Sequence, residues 1–507
     1  MHRALPLMLI PLALLVVTAC DKSDDDEDST PEPPAAAARG DLIDGKPALL
    51  GTYTPEELLA LLTTNELGQF IADAILTPEC TIDVQQLKYQ TVDPDGNVTP
   101  ASGALMVPHG SDPVCQGPRP LVIYAHGTAT DQTYNIADLE NPENAEGLLM
   151  AAAFAAEGYI VVAPNYVGYD SSTLDYHPYL NADQQSKDMI DAITAARSAL
   201  PTDDAPDTSD DGRLFVTGYS QGGFVAMATH RALQEAGETV TASAPMSGPY
   251  ALAAFGDAIF EGQVTGGSTV NLTLLVSGYQ HAYGDIYADV TDAAEDPYAT
   301  DFETLLPSTT PVGDLKAEGK LPDDALFDST PPDPAYASMT PATMPESLAV
   351  VFALGFGDEH LLTNEFRLAY LQDAEANPDG GFPVVTDGLP PADPQNPLRQ
   401  ALKLNDQRTW TPTSPLLLCA GHRDPSVLYL NTALMQNYWT SASNVTTLDI
   451  DSDVETDDPY AAQKEQFGAA KDLVELSGGD EAVLEAYHAG LVAPFCLSAV
   501  RSFFDEQ

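Results

Sequence analysis

Residues 218–223 read Gly-Tyr-Ser-Gln-Gly-Gly, one serine with glycine two places before it and glycines two and three places after it. A serine hydroxyl attacks carbonyl carbon only when an adjacent base takes its proton, and that base needs an acid to orient it. His488 is the single histidine that follows Asp424 in the chain, and it precedes the final amphipathic stretch. Asp424 lies in a polar loop four residues past Ala420, at the end of the apolar run PLLLCA (415–420). There it can accept the Nδ1 proton of an imidazole whose Nε2 faces the serine. Three other acids compete. Asp406 precedes that run and so lies at its wrong end, while Asp449 and Asp451 open the acidic run DIDSDVETDD, which reads as solvated. That run lacks the glycine and glutamate of an EF-hand loop at the positions such a loop requires.

Acyl transfer also needs donors for the oxyanion of a tetrahedral intermediate. The amide of Gln221, next to Ser220 and at the start of a helical pattern, is one candidate. The second is Thr128 in HGTAT, directly after PLVIYA (120–125), with His126 and Gly127 read as structural.

The elements that must hold these groups are legible as runs. RLFVT (213–217) is an apolar strand ahead of Ser220, and 221–237 has helical spacing behind it. A glycine-flanked serine between strand and helix is the context of a nucleophile elbow, where Gly218 and Gly222 allow a sharp turn. LKYQT (87–91) and ALMV (104–107) flank DPDGN and read as a hairpin. PLVIYA, YIVVA (159–163), RLFVT, TVTASA (239–244), PLLLCA and VTTLDI (445–450) read as strands buried on both faces. Helical spacing fills 143–158, 182–200 and 221–237 between them. Strand alternating with helix predicts an α/β fold with a doubly wound sheet of eight strands, mostly parallel. The alternation stops between Gly248 and Arg408, a gap of roughly 160 residues and too long for a loop in a compact domain. A mainly helical cap over 249–408 is therefore expected, inserted between core segments 48–248 and 409–507.

HGT, APNYVGYDSS, HPYL, GYSQGG, GHRDPSV and the late histidine together resemble the secretory lipase family of α/β hydrolases, over about residues 50 to 505. The resemblance implies hydrolysis of carboxylic esters, acylglycerols among them, without a cofactor. It also implies a triad of Ser220, Asp424 and His488, with Thr128 and Gln221 as oxyanion donors. Asp170 stands where the family motif often continues with glycine. Tyr166, Tyr169, His177 and Tyr179 read as packing residues, with a place on the site wall as the alternative. Because a triad specifies acyl transfer and not the acceptor, a peptidase or acyltransferase remains open. So does a non-catalytic envelope binding protein on the same fold.

Bulk composition bounds the partners, and the N-terminus points to the compartment. Among 507 residues, 76 Asp and Glu against 20 Lys and Arg give a net charge of −56, which repels nucleic acid and anionic lipid surfaces. At 44% hydrophobic and 8% aromatic the chain can bury a large core. Met1–Arg3 is basic, Ala4–Val17 is apolar but too short to span a bilayer, and VTAC closes the run at Cys20. Residues 1–19 read as a signal peptide, and Val17–Cys20 resembles a lipobox that would place a lipid on Cys20. The expected location is the cell envelope through that anchor, or otherwise secretion. Residues 20–47, acidic and then rich in Pro and Ala, read as a solvated tether. Cys80, Cys115, Cys419 and Cys496 are an even set in an exported chain and predict two disulfides, with three pairings open. No CxxC or paired-histidine spacing suggests a metal site.

Overall fold

The computed structural model describes residues 38–63, 66–141 and 145–507. The expected signal peptide, Cys20 and the expected tether as far as residue 37 lie outside the described residues.

Nine strands form one sheet in the order β1-β2-β3-β5-β4-β6-β7-β8-β9. They are β1 (Ala48–Tyr53), β2 (Thr81–Val92), β3 (Val98–His109), β4 (Gly117–Ala125), β5 (Ile160–Pro164), β6 (Thr208–Tyr219), β7 (Ala242–Met246), β8 (Leu416–Ala420) and β9 (Val445–Asp449). The first three are antiparallel to their neighbours, and β4 to β9 pair in parallel. Strands β5, β7 and β8 are buried along their whole length, as continuous apolar runs covered on both faces should be.

The expected eight strands are all present, and the ninth, β1, is an addition. Its residues are mostly exposed at the sheet edge, so its sequence carries no core-facing alternation, and pairing with β2 makes it a strand. The hairpin is also longer than its apolar runs, with twelve residues per strand. The polar Asp83 and Gln85 interrupt the pattern, yet both are buried, and Asp83 accepts a 2.6 Å hydrogen bond from Thr52 Oγ1 of β1. At the turn, Asp93 Oδ1 accepts from the Asn97 amide at 2.8 Å and Gly96 takes φ +84.

A second difference concerns residues 38–47, which were expected to belong to a solvated tether. Arg39 pairs with Asp191 at 2.9 Å, the Gly40 amide donates to Gln90 O at 2.8 Å, and Leu42 bridges Tyr89 of β2. An ion pair and a backbone ladder thus fasten a stretch whose composition looked solvated.

Between β7 and β8 the described chain is helical and irregular, with longer helices at Leu252–Phe260, Ser268–Tyr283, Asn364–Ala376 and Pro397–Asn405. Their apolar side chains join the same hydrophobic cluster as the sheet, and Ala37–Gln507 forms one compact unit. Arg408 closes the insertion, held without solvent exposure between Asp379 at 2.6 Å and Asp406 at 2.9 Å. Disulfides join Cys80 to Cys115 and Cys419 to Cys496.

Candidate active site

The chain leaves β4 toward β5 on one side, then crosses β4 to reach β6 on the other. Loops that part in opposite directions open a crevice at the carboxyl ends of those strands. Ala125, the last residue of β4, sits opposite Gly218 of β6, so the His126–Thr128 loop and the serine turn start side by side.

Ser220 takes φ 59 and ψ −121 between β6 and the Gln221–Glu235 helix. Such a conformation is strained for a residue with a side chain and persists only when surroundings impose it. A Cβ at Gly222 would lie 1.9 Å from Ala125 O, and one at Gly218 would lie 2.3 Å from Gly222 O. The elbow therefore packs backbone against backbone, and Ser220 N is fastened to Met246 O of β7 at 3.0 Å.

Asp424 is buried, and its two oxygens have separate tasks. Oδ1 accepts the amides of Ser426 and Val427 at 2.9 and 3.0 Å, while Oδ2 lies 2.7 Å from His488 Nδ1. A carboxylate only accepts, so Nδ1 carries the proton and Nε2 of the neutral ring is left with a lone pair. That Nε2 is buried without a hydrogen-bond partner among the described residues, and His488 and Ser220 line the same cavity. His488 lies in a π-helical turn, Tyr487–Val492, between the Ala461–Ala486 and Ala493–Asp505 helices. One wide turn of this kind redirects side chains out of helical register and is frequent at functional sites.

Among the competing acids, Asp406 belongs to the Arg408 pair. Asp449 and Asp451 are engaged where solvent was expected. Asp449 Oδ2 meets His422 Nδ1 at 2.9 Å, and Asp451 pairs with Lys471 and accepts from Tyr487 Oη at 2.7 Å. Tyr487 Oη in turn accepts the Arg423 amide at 3.2 Å, so Asp451 steadies the loop carrying Asp424.

On the other wall stand Gln221 and Thr128. Gln221 opens its helix, and first-turn amides have no partner within the helix itself. His126 is fully buried, stacked on Tyr166 at 4.2 Å, and burial pushes its ring down to about 4, so it is structural. Asp170 does take a glycine-like backbone, φ +45, and its carboxylate accepts from Ser102 Oγ at 2.5 Å and Ser171 Oγ at 2.7 Å. Tyr179 reaches the cavity wall, whereas Tyr166, Tyr169 and His177 are buried behind it.

Two further residues contribute to the site. Glu146 lines the cavity, accepts the Gly127 amide at 3.0 Å and bonds Tyr124 Oη. Desolvation holds its carboxyl above the usual range. Tyr219 donates from its hydroxyl to His488 O. Tyr219 stands next to Ser220 in the chain, whereas Glu146 is remote in sequence and only folding brings it to the site.

The cavity holds about 260 Å³. Leu252, Phe255, Ile259, Leu272, Leu275 and Leu402 from the insertion form its apolar wall, and Thr128, Ser220, Gln221 and His488 form its polar end. Among the described residues no cluster of His, Cys, Asp and Glu could hold a metal ion.

Residues 149–281 match the model of the prolyl oligopeptidase family. A search of curated proteins found no match. A ligand-bound form of the rice cell wall degrading esterase LipA from Xanthomonas oryzae is similar over 93% of this chain and 100% of its own, at 24% identity and a TM-score of 0.66. A point mutant of that esterase gives 25% identity over the same shares, with a TM-score of 0.65. A putative hydrolase from Legionella pneumophila is 20% identical over 92% of this chain and 97% of its own, with a TM-score of 0.63. Sheet order, serine turn and these likenesses agree that the chain has the α/β-hydrolase fold.

Proposed function

We propose that the chain hydrolyses carboxylic esters through an acyl-enzyme on Ser220. The observation that carries this reading is the unpartnered His488 Nε2 opening on the cavity that Ser220 lines, with Asp424 behind Nδ1. Ser220 Oγ attacks the carbonyl carbon as its proton passes to Nε2. Asp424 keeps the Nδ1 proton in place and stabilises the imidazolium. The amides of Gln221 and Thr128 receive the oxyanion, and collapse releases the alcohol, which takes the proton from His488. Water, deprotonated at Nε2, then frees the acid by the same steps.

The apolar wall supports an acyl group as the part of the substrate held in the insertion, and the X. oryzae protein is an esterase over the same architecture. The residues named need no cofactor. The prolyl oligopeptidase match favours a second reading, peptide hydrolysis by the same triad, although it spans the elbow and not Asp424 or His488. Fluorophosphonate should label Ser220 of the wild type and not Ser220→Ala. p-Nitrophenyl esters should turn over, and aminoacyl p-nitroanilides should not. An unlabelled serine would remove the proposal, and the reverse substrate preference would select the peptidase. Export, with a lipid on Cys20, is proposed from the leader alone; globomycin-sensitive processing before Cys20 tests it.

A further inference from the structure

Behind the proposed oxyanion donors runs a short segment, His177-Pro178-Tyr179-Leu180, that touches both of them. Tyr179 Oη lies 2.8 Å from Thr128 Oγ1. His177 Nε2 lies 2.7 Å from Gln221 Nε2 and 3.3 Å from Gln185 Nε2. The direction of the His177 contacts follows from its other nitrogen. Nδ1 is 2.9 Å from Val167 O, which can only accept, so the ring proton is there and Nε2 accepts from both amides. Burial between Tyr166 and Tyr169 pushes the ring down to about 3, which keeps that lone pair available across the neutral range.

The segment is itself gripped from two sides. Tyr279 Oη, buried on the Ser268–Tyr283 helix, donates to Leu180 O at 3.0 Å, and Leu180 is held at φ +53. A Cβ at Gly278 of that helix would lie 2.9 Å from His177 O, and one at Gly168 would lie 2.4 Å from Tyr176 O. The helix that grips the segment also lends Leu272 and Leu275 to the cavity wall.

We propose that His177 and Tyr179 are positioning residues that align the two halves of the oxyanion site, Gln221 and Thr128, and that Tyr279 ties this alignment to the wall of the acyl cavity. This rests on the ester-hydrolase reading above. The side chains do not touch the reacting atoms. They restrain the residues whose amides do, and a displacement of that kind costs rate more than binding. Through Tyr279, an acyl chain that packs against Leu272 and Leu275 bears on the same restraint, so a well-filled cavity favours a well-formed oxyanion site.

Tyr179→Phe and Gln221→Met each remove one polar contact and keep side-chain bulk and the backbone amide. On p-nitrophenyl butyrate each should lower kcat about tenfold with KM within about twofold, the pattern of an interaction realised in the transition state. Binding of an alkylboronic acid, whose serine adduct is tetrahedral, should weaken by a similar factor. Tyr279→Phe should lower kcat for the butyrate ester more than for the acetate, which leaves the wall unfilled. Thermal melting of Tyr179→Phe should match the wild type, and that variant decides the matter if Gln221→Met does not fold. Wild-type kcat in Tyr179→Phe, or a change confined to KM, would overturn the proposal while leaving the hydrolase reading intact. A wild type inert toward every ester and toward fluorophosphonate would overturn both.

Discussion

Cys496 is disulfide-bonded to Cys419 with their Cα atoms 5.6 Å apart, which makes the strand that delivers Asp424 and the helix that follows His488 one covalent unit. The two cysteines are 77 residues apart, a loop whose closure stabilises the fold by about 4 kcal/mol in the chain-entropy account. The other bridge, Cys80–Cys115, closes 35 residues on the far side of the sheet. Replacing Cys419 and Cys496 together by alanine should lower both the melting temperature and kcat, because acid and base lose their common frame. Replacing Cys80 and Cys115 should lower the melting temperature alone. Calorimetry and ester turnover on the two double variants separate these outcomes.

Asp424→Asn should reduce kcat by about 10⁴, since an amide in that place stabilises the wrong imidazole tautomer. Asp451→Asn should cost far less, because Asp451 acts on the Asp424 loop only through Tyr487. Equal losses in kcat/KM for the two variants would transfer the role of orienting acid away from Asp424.

Gly222→Ala should destabilise the protein by about 3 kcal/mol or more, since its Cβ would fall 1.9 Å from a strand carbonyl that cannot withdraw. Gly237, at φ +81 with nothing within 4 Å, should cost only about 1 kcal/mol as alanine, for backbone strain alone. Urea denaturation of both variants measures the contrast.

Asp188 is fully buried behind the Tyr166–Tyr169 loop, where it accepts the Val167 amide at 3.1 Å and Thr91 Oγ1 at 3.1 Å. Burial pushes its carboxyl up to about 7, from 3.8 in the unfolded chain. The folded state then binds the proton more tightly, so the contribution is fully present below pH 3.8 and is lost as pH rises through 7. An asparagine in its place cannot titrate. Whatever fixed cost Asp188→Asn carries, its stability relative to the wild type should improve between pH 4 and 7 by up to about 1.4 kcal/mol per unit. Denaturant midpoints of both proteins at pH 4.5, 6 and 7.5 test the sign.

Much of the candidate site was legible because its chemistry is written locally or in order. A glycine-flanked serine between an apolar strand and a helical pattern announces a strained turn wherever it occurs, and Ser220 is at φ 59. One acid at a strand end and one histidine after it left few candidates for partners, and Asp424 and His488 do meet at 2.7 Å. What was not legible depends on neighbours distant in sequence. Strand β1 has an exposed edge pattern and becomes a strand through β2. Residues 38–47 look like solvated tether until Arg39 finds Asp191. Asp451 looks like one charge in an acidic run until Tyr487 and Lys471 close on it.

The amino-acid sequence by itself determined the candidate site groups, their order and the alternation that builds the sheet, because propensity, periodicity and turn chemistry act over a few residues. Only the tertiary structure decided what surrounds those groups. The Ala125–Gly218 register set Thr128 beside Ser220, a π-helical turn aimed His488, and the insertion supplied an apolar wall. Glu146 and the His177–Leu180 segment joined them from loops far off in the chain, because a hydrogen bond is set by distance in space and not by separation along a sequence.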